Sequence, residues 1–482
     1  MRGAHGLKRT LAGCLALLFL CSSCSVLKEE TAEQWEDVLP TEVTQAGSVT
    51  VYPSLYYMDE TTGQFMLSSG ELQLEDWKQS PTAIVQALLD SPIDLGFGYI
   101  SSKTYIQQVE LSADVANVYL WVDMYLNDRQ RYFLSVLVAN TLIENFDVHY
   151  VNVEISGKYA SMLSMPLGLY ELQEGILNDL YQQQREQIEA LGEDDAFLVN
   201  LGFYYLAGNS GYILPEVASV DVRESDPLRR MAEVLLQLSK GAKYAQGYVS
   251  PLREEALEQV LQEGAAEGPE RYFSYQNGML NIMHAEELFL DAEGREKLCM
   301  ASVFYTLHSV FPGLEKMRCE WQGMQILLDE NDARQYLGSP VEIYLPSEDM
   351  TSLQKVRRIV HARQALDGNT YIRLIAKGPV EGDPETVVAA FPGGLLEEDI
   401  RSLRISGNTA ILDFSENFIY GMERLTVQGQ RLLVYSLVNT ICSLGPVRSV
   451  QFLVEGEAVP AIRGGEIRFV SPLMENPGLA KP

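Results

Sequence analysis

His149, His284, His308 and His361 are the only histidines after His5, so any imidazole base or metal ligand in the body of the chain must come from these four. None sits in HExxH or HxxEH, and no CxxC pair follows Cys24, so the sequence assigns no zinc site. His284-Ala285-Glu286 matches the HxE half of a deaminase pattern whose PCxxC half is missing, and reads as a chance match. His308 lies on an apolar helical pattern and is expected to be packed or partly exposed. There is no GxSxG elbow and no GxxxxGK[ST] loop, while Gly96-Phe97-Gly98 is half of a dinucleotide fingerprint with no third glycine. Asp413 and Ser415 have the types of an acid and a nucleophile, but no histidine is placed to serve them. They are expected to end a strand and cap the loop beyond it. Arg357, Arg358 and Arg363 form a basic cluster that could meet an acidic partner or cell-wall phosphate, with a solvated strand face as the simpler reading. No residue is assigned to catalysis, to a cofactor or to a metal.

The thiols divide into two groups. Cys299, Cys319 and Cys442 fall on helical or inward strand positions at irregular spacing, which reads as buried small apolar residues rather than a disulfide framework. Cys21 and Cys24 belong to the N-terminus, where Arg2, Lys8 and Arg9 precede the apolar run Leu11 to Leu20. That run is too short to span a bilayer and suits the h-region of a secretory signal. A signal peptide lacks the βα context that a CxxC redox pair needs. Ser22-Ser23-Cys24 resembles a bacterial lipobox, whose cysteine is acylated and becomes the mature N-terminus; Cys21 stands where such boxes usually carry leucine. The expectation is a lipoprotein signal over 1–23, lipidation at Cys24 and an acidic tether over 24–47. Ordinary cleavage without lipid is the alternative.

With 36 basic against 66 acidic residues the formal net charge is −30, which disfavours nucleic acid as a direct partner because phosphate binding needs clustered Lys and Arg. An apolar fraction of 46% argues for folded domains, and 482 residues exceed one core.

The elements that would position any site repeat three times. Arg131 to Gly157, Lys297 to Gly323 and Arg431 to Gly456 share one pattern, with 16, 17 and 16 residues from Thr141, Thr306 and Thr440 to the closing glycine. In the third copy Leu433, Leu437, Ile441 and Leu444 recur at helical spacing, Gly445-Pro446 stops the helix, and Val450, Phe452 and Val454 then alternate as a half-buried strand. Val151, Val153 and Ile155, then Met317, Cys319 and Trp321, are the corresponding inward sets.

Upstream of each signature the punctuation predicts two strands, a helix and two more strands, giving ββαββαβ. The first unit opens with a strand over 49–58, a second near 64–74 and a helix between Pro81 and Pro92. In the second unit the turn Gly208-Asn209-Ser210-Gly211 joins two strands, Asp226-Pro227 starts a helix that Gly241 stops, and 254–268 is an acidic insertion. Between them Tyr170 to Leu191 reads as a connecting helix. The fold class is α+β, three tandem small α/β domains, with repeat 1 over 48–169, a connecting segment over 170–195, repeat 2 over 196–335 and repeat 3 over 336–476.

The third unit resembles the GerMN domain, a sporulation and spore germination lipoprotein module. The residues carrying the resemblance are VEIYLP at 341–346, IAKGP at 375–379, AAFPGG at 389–394, AILDFS at 410–415 and LVNTICSLGPVRSVQFLVEG at 437–456. The first two units depart from it where Asp413-Phe414-Ser415 becomes Trp121-Val122-Asp123 and approximately Met283-His284-Ala285. The resemblance implies a non-catalytic binding or assembly module on the extracytoplasmic face of the cell membrane, with envelope or sporulation proteins as partners. A solute-binding envelope lipoprotein is the alternative reading, and a cell-wall hydrolase ranks below it for want of a nucleophile or metal pattern.

Overall fold

The computed structural model describes residues 49–481 except 60, 91–101, 157–167, 190–195, 224–226, 263–267, 291–293, 312, 392–398, 446, 460 and 462–466. Cys24, the leader, the tether and Gly96-Phe97-Gly98 lie outside the described residues. Among the described residues no helix is long and apolar enough to cross a membrane.

The first unit starts with β1 (Val49–Val51), β2 (Ser54–Met58), β3 (Phe65–Ser69) and β4 (Leu72–Leu74). The expected two strands are four, because Pro53 and Gly70 interrupt them and two short ribbons result: β1 pairs with β4, and β2 with β3. Helix α1 (Ser80–Leu89), the hairpin β5 (Thr104–Ser112) and β6 (Val115–Val122), helix α2 (Asp128–Asn145) and β7 (Tyr150–Ser156) follow. Strand β6 is antiparallel to β5 and parallel to β7, so α2 is the crossover. A capping box formed by Asn127 and Gln130 starts α2.

Helix α3 covers only Leu177–Glu189 of the connecting helix expected from Tyr170. Gly175, at φ +118°, breaks the helical path, and Tyr170 forms a bridge with Val151 instead.

In the second unit β8 (Ala196–Ala207) pairs with β9 (Ile213–Arg223), α4 (Pro227–Ser239) follows, and β10 (Tyr248–Val249) joins β8. Gly241 adopts φ +82° just beyond α4. The acidic insertion holds helix α5 (Glu254–Leu261). A four-stranded sheet is built from β11 (Phe273–Gln276), β12 (Met279–Ile282), β13 (Lys316–Trp321) and β14 (Met324–Asp329), with α6 (Glu296–His308) crossing between β12 and β13.

The third unit has β15 (Gly338–Pro346) and β16 (Leu353–His361), then α7 (Gly368–Lys377), β17 (Ile400–Ser406) and β18 (Thr409–Phe414). Helices α8 (Glu416–Glu423) and α9 (Val427–Cys442) lead to β19 (Ser449–Val454), parallel to β18. All three units share a helix, a hairpin, the signature helix and a closing strand, but the first opens with four strands where ββαββαβ has two, and the second adds β10, α5 and β14 to that order.

One contact recurs in all three. The hydroxyl oxygen of Thr141 accepts the backbone N–H of Tyr56 at 3.1 Å, Thr306 that of Tyr204 at 3.0 Å, and Thr440 that of Tyr344 at 2.9 Å. Ser302 and Ser436, one helical turn earlier, donate to the carbonyls of the same tyrosines, Tyr204 and Tyr344. In the first unit Asn145, one turn later, accepts from Ser54 N and donates to Ser54 O instead. Each signature helix thus lies along an edge of its unit's first hairpin, in the second unit beside the short β10 pairing at Leu206–Ala207, and supplies partners a further strand would have given.

Apolar residues gather in one main cluster per unit. Val49, Val51, Leu74 and Trp77 pack into the cluster of the third unit, so the first ribbon ties the two ends of the chain together. Gly445 is required there: a Cβ would stand 3.1 Å from Trp77 Cζ2.

Thr440→Val keeps the volume but removes the acceptor for a buried N–H, at a cost of about 2 kcal/mol. Hydrogen exchange should show faster exchange at Tyr344 and its neighbours on β15, with little change on β8.

Candidate functional site

Strand β6 turns Ala116, Val118, Leu120 and Val122 into the first core, so Asn117, Tyr119 and Trp121 face outward. An outward face of an antiparallel hairpin ordinarily meets water. Here Asn117 and Tyr119 are only 2% and 3% exposed; Tyr204 of β8 meets Asn117, and His308 of α6 and Arg334 meet Tyr119.

This seam is polar. Asn117 Nδ2 donates to the Tyr204 hydroxyl at 3.0 Å, and Asn152 Nδ2 lies 3.4 Å from Asn117 Oδ1. The Tyr305 hydroxyl donates to Glu110 Oε2 at 3.3 Å, and Arg334 Nε stands 3.4 Å from Glu110 Oε1. Arg334 also pairs with Glu330 and lies over the Tyr119 ring, 5.6 Å from its centroid. His308 Nδ1 faces Glu154 Oε2 at 2.9 Å, and among the described residues neither atom has a hydrogen-bond partner elsewhere. Tyr119 meets the same imidazole edge-on with centroids 5.7 Å apart.

The repeat explains how the seam arose. Asn140 and Asn439 precede the signature threonines in units one and three, and each clamps a downstream backbone, at Gln173 and Asn476 respectively. The second unit has Tyr305 at that position, and its hydroxyl reaches the neighbouring unit instead. His308 occupies the place of Ile143 and Cys442. Periodicity pointed to packing; the burial is there, and with it an ion pair that needed the second unit's position to be seen.

Burial is the largest influence on Glu110 and pushes its carboxyl up to about 7, against the pull of Arg334 and Arg363. For His308 burial acts to lower the pKa, but Glu154 and the more distant Glu330 and Glu110 overcome it and the net direction is upward. Each group therefore holds its proton to higher pH in the folded chain than when unfolded.

A cavity of about 650 Å³ opens beside Glu110 where the units converge, walled by Gln108, Thr82 and Lys78 of the first, Arg334 of the second and His361 and Arg363 of the third. Its charges are largely matched internally: Lys78 pairs with Asp367 at 3.1 Å, and Arg334 with Glu330 and Glu110. His361 Nδ1 accepts the backbone N–H of Arg363 at 3.2 Å, so that nitrogen is engaged.

The other sequence candidates are dispersed. Asp413 ends β18 and accepts the N–H of Gly456 at 2.9 Å, joining two motifs of the third unit. Ser415 stands at the N-cap of α8 and donates to Asp399 at 2.8 Å. The arginine cluster is not one solvated face. Arg358 points inward, where it forms a paired contact with Asp383 and reaches the Gly378 carbonyl at 3.3 Å, while Arg357 donates to Tyr248 at 3.1 Å. Strand alternation separates neighbours 357 and 358, which is why adjacency misled. His284 takes a left-handed conformation at φ 54° and packs against Tyr272. Cys299 and Cys319 are buried, Cys442 is half-buried, and all three are free thiols. Among the described residues no group of three or more His, Cys, Asp or Glu is placed to hold a metal ion.

Residues 342–460 match the family model Germane, described as sporulation and spore germination, so the third unit is a domain of that family. Among solved structures the chain is similar to the tandem GerMN domains of the sporulation protein GerM from Bacillus subtilis, at 15% identity and a TM-score of 0.22 over 58% of this chain and 97% of that one. It is also similar to a protein described as a lipoprotein from Clostridium perfringens, at 14% identity and a TM-score of 0.20 over 29% of this chain and 89% of that one. Neither score supports a shared arrangement of domains. No curated protein matches the chain significantly.

The proton uptake at the seam has a definite sign. The unfolded Glu110 ionises near 4.5, but the folded one does so near 7, so folding is penalised progressively as pH rises between those values. His308 acts in the same direction: its contribution is complete below its unfolded pKa and is lost as pH rises through its higher folded pKa. Glu110→Gln should flatten the fall in melting temperature between about pH 5 and pH 7 relative to the parent chain. An unchanged pH slope in thermal melts of the two proteins would remove Glu110 from this role.

Proposed function

We propose that the chain is a lipid-anchored, extracytoplasmic protein that acts in the cell envelope as a non-catalytic binding and assembly module during sporulation or spore germination. The match of residues 342–460 to a sporulation and spore germination family carries this reading. The basic start, short apolar run and Ser22-Ser23-Cys24 support an anchor at Cys24. The buried seam supports a scaffold role, since it holds two repeats in one orientation, and the β1–β4 ribbon fastens the third to the first.

Surface is left for protein partners. Strand β13 alternates exposed and buried residues, so Lys316, Arg318 and Glu320 face outward on the second unit's sheet, beside exposed Met324 and Leu327 of β14. The equivalent face of the first unit meets the second unit. In the third, Gln451 donates to the Phe469 carbonyl at 2.7 Å, and the unit's own C-terminal segment covers that face.

A tagged chain followed through vegetative growth and spore formation tests the reading. It is expected to accumulate during spore formation, at the developing spore envelope, and Cys24→Ala should release it from the membrane fraction. Constant abundance over the whole vegetative membrane would contradict the sporulation role, and membrane retention of Cys24→Ala would contradict the lipid anchor.

A further inference from the structure

Between the first and third units lies a cleft of about 1080 Å³, separate from the cavity beside Glu110. Its apolar lining includes Val51, Ile84, Phe146, Leu366, Tyr371 and Leu444. Its lining carries both signs of charge, with His149 beside Asp114 on the first unit. Asp114, Glu144 and Asp147 line the side of the first unit; Arg357 and Arg448 line that of the third.

The opposite charges are not spent on each other. Asp114 is engaged by His149 on its own side, and Glu144 accepts the Tyr56 hydroxyl at 3.4 Å. Arg448 donates to the carbonyls of Gly445 and Val447, both at 3.3 Å, and Arg357 to the Tyr248 hydroxyl. Glu342, opposite Arg357 in the β15–β16 register, bonds Lys355 at 2.7 Å. Among the described residues no ion pair joins Asp114, Glu144 or Asp147 to Arg357 or Arg448. Exposed charges of both signs in one cleft, Glu144 and Asp147 from the first unit and Arg357 and Arg448 from the third, beside apolar lining residues, complement a ligand with separated ammonium and carboxylate groups and apolar substituents between them.

We infer that this cleft binds a short zwitterionic peptide, its ammonium toward Glu144 and Asp147, its carboxylate toward Arg357 and Arg448, and its side chains on the apolar lining. A polyanion is disfavoured by the carboxylates and a polycation by the arginines. The chain's own tether, with Glu29, Glu30, Glu36 and Asp37, is anionic and suits the cleft less well. Guanidinium groups hold a carboxylate through directed, charge-assisted hydrogen bonds, so the carboxylate end sets orientation. The cleft volume lies just above the usual range for small-ligand sites, and an extended tripeptide of about 10 Å is within the scale of such a site. This goes beyond the assembly role, which needs no small ligand.

The test is calorimetric titration of the mature chain with leucyl-phenylalanyl-alanine, once with free termini and once acetylated and amidated. Saturable binding of the free peptide is expected, with the blocked form at least about tenfold weaker. Arg448→Gln and Asp147→Asn should each weaken the free peptide by about tenfold while leaving the blocked peptide and the melting temperature unchanged. Equal affinity for the two forms, insensitivity to both substitutions, or no binding of the free peptide at millimolar concentration would overturn the inference. Because Asp147 and Arg448 lie on the surface and far in sequence from Cys24, the localisation experiment succeeds or fails independently.

Discussion

A threonine hydroxyl on each signature helix accepts the backbone N–H of a hairpin tyrosine, and the architecture of each unit depends on that contact. Buried peptide groups need partners, and a two-stranded ribbon leaves an entire edge without them. The signature helix closes that edge with a side chain rather than with another strand. Once Thr141, Thr306 and Thr440 sit on their tyrosines, the helix is aligned along the ribbon and its other apolar residues reach the second sheet. The same helix is the crossover between parallel strands, so edge closure and sheet topology come from one element.

From this shared plan the units differ in how they cover what remains. The first gives its outer sheet face to the second unit, the third covers its own with a C-terminal segment, and the second leaves part of its sheet exposed. Helix α6 is buried along Leu298–His308, and its Tyr305 and His308 reach groups of the first unit. At that junction Glu110 and His308 are out of water, where charge is expensive unless paired, and the partly exposed Arg334 and Glu154 partner them. Their pairing makes the junction orientation-specific: sliding one unit over the other would leave a buried charge without its partner. The same burial makes the junction take up protons more readily than the unfolded chain.

The spaces between the units, like the units themselves, are set by how the repeats pack. Residues 342–460 match a family described as sporulation and spore germination, while the cleft takes its lining from both the first and the third units. Neither unit presents that cleft alone. The β1–β4 ribbon, anchored by Trp77 in the third unit's core, brings the two units together.

Local patterns carried most of the architecture. Period changes from helix to strand, turn glycines such as Gly241 and the repeated Thr-to-Gly spacing led to the ββαββαβ order, because these signals depend only on neighbours along the chain. Some local features were still hard to read: Gly175 ended a helical pattern early, and Arg357 and Arg358 looked like one cluster until strand alternation parted them. Tertiary packing alone decided which polar faces are buried. Asn117, Tyr119 and Glu154 alternate with core residues as solvent-facing positions do, and nothing next to them in sequence announces the second unit. The pairing of His308 with Glu154, the raised Glu110 and the cleft shared by Asp147 and Arg448 each join residues remote in sequence. A one-dimensional pattern can specify a face, but the partner of that face is set by how the units pack.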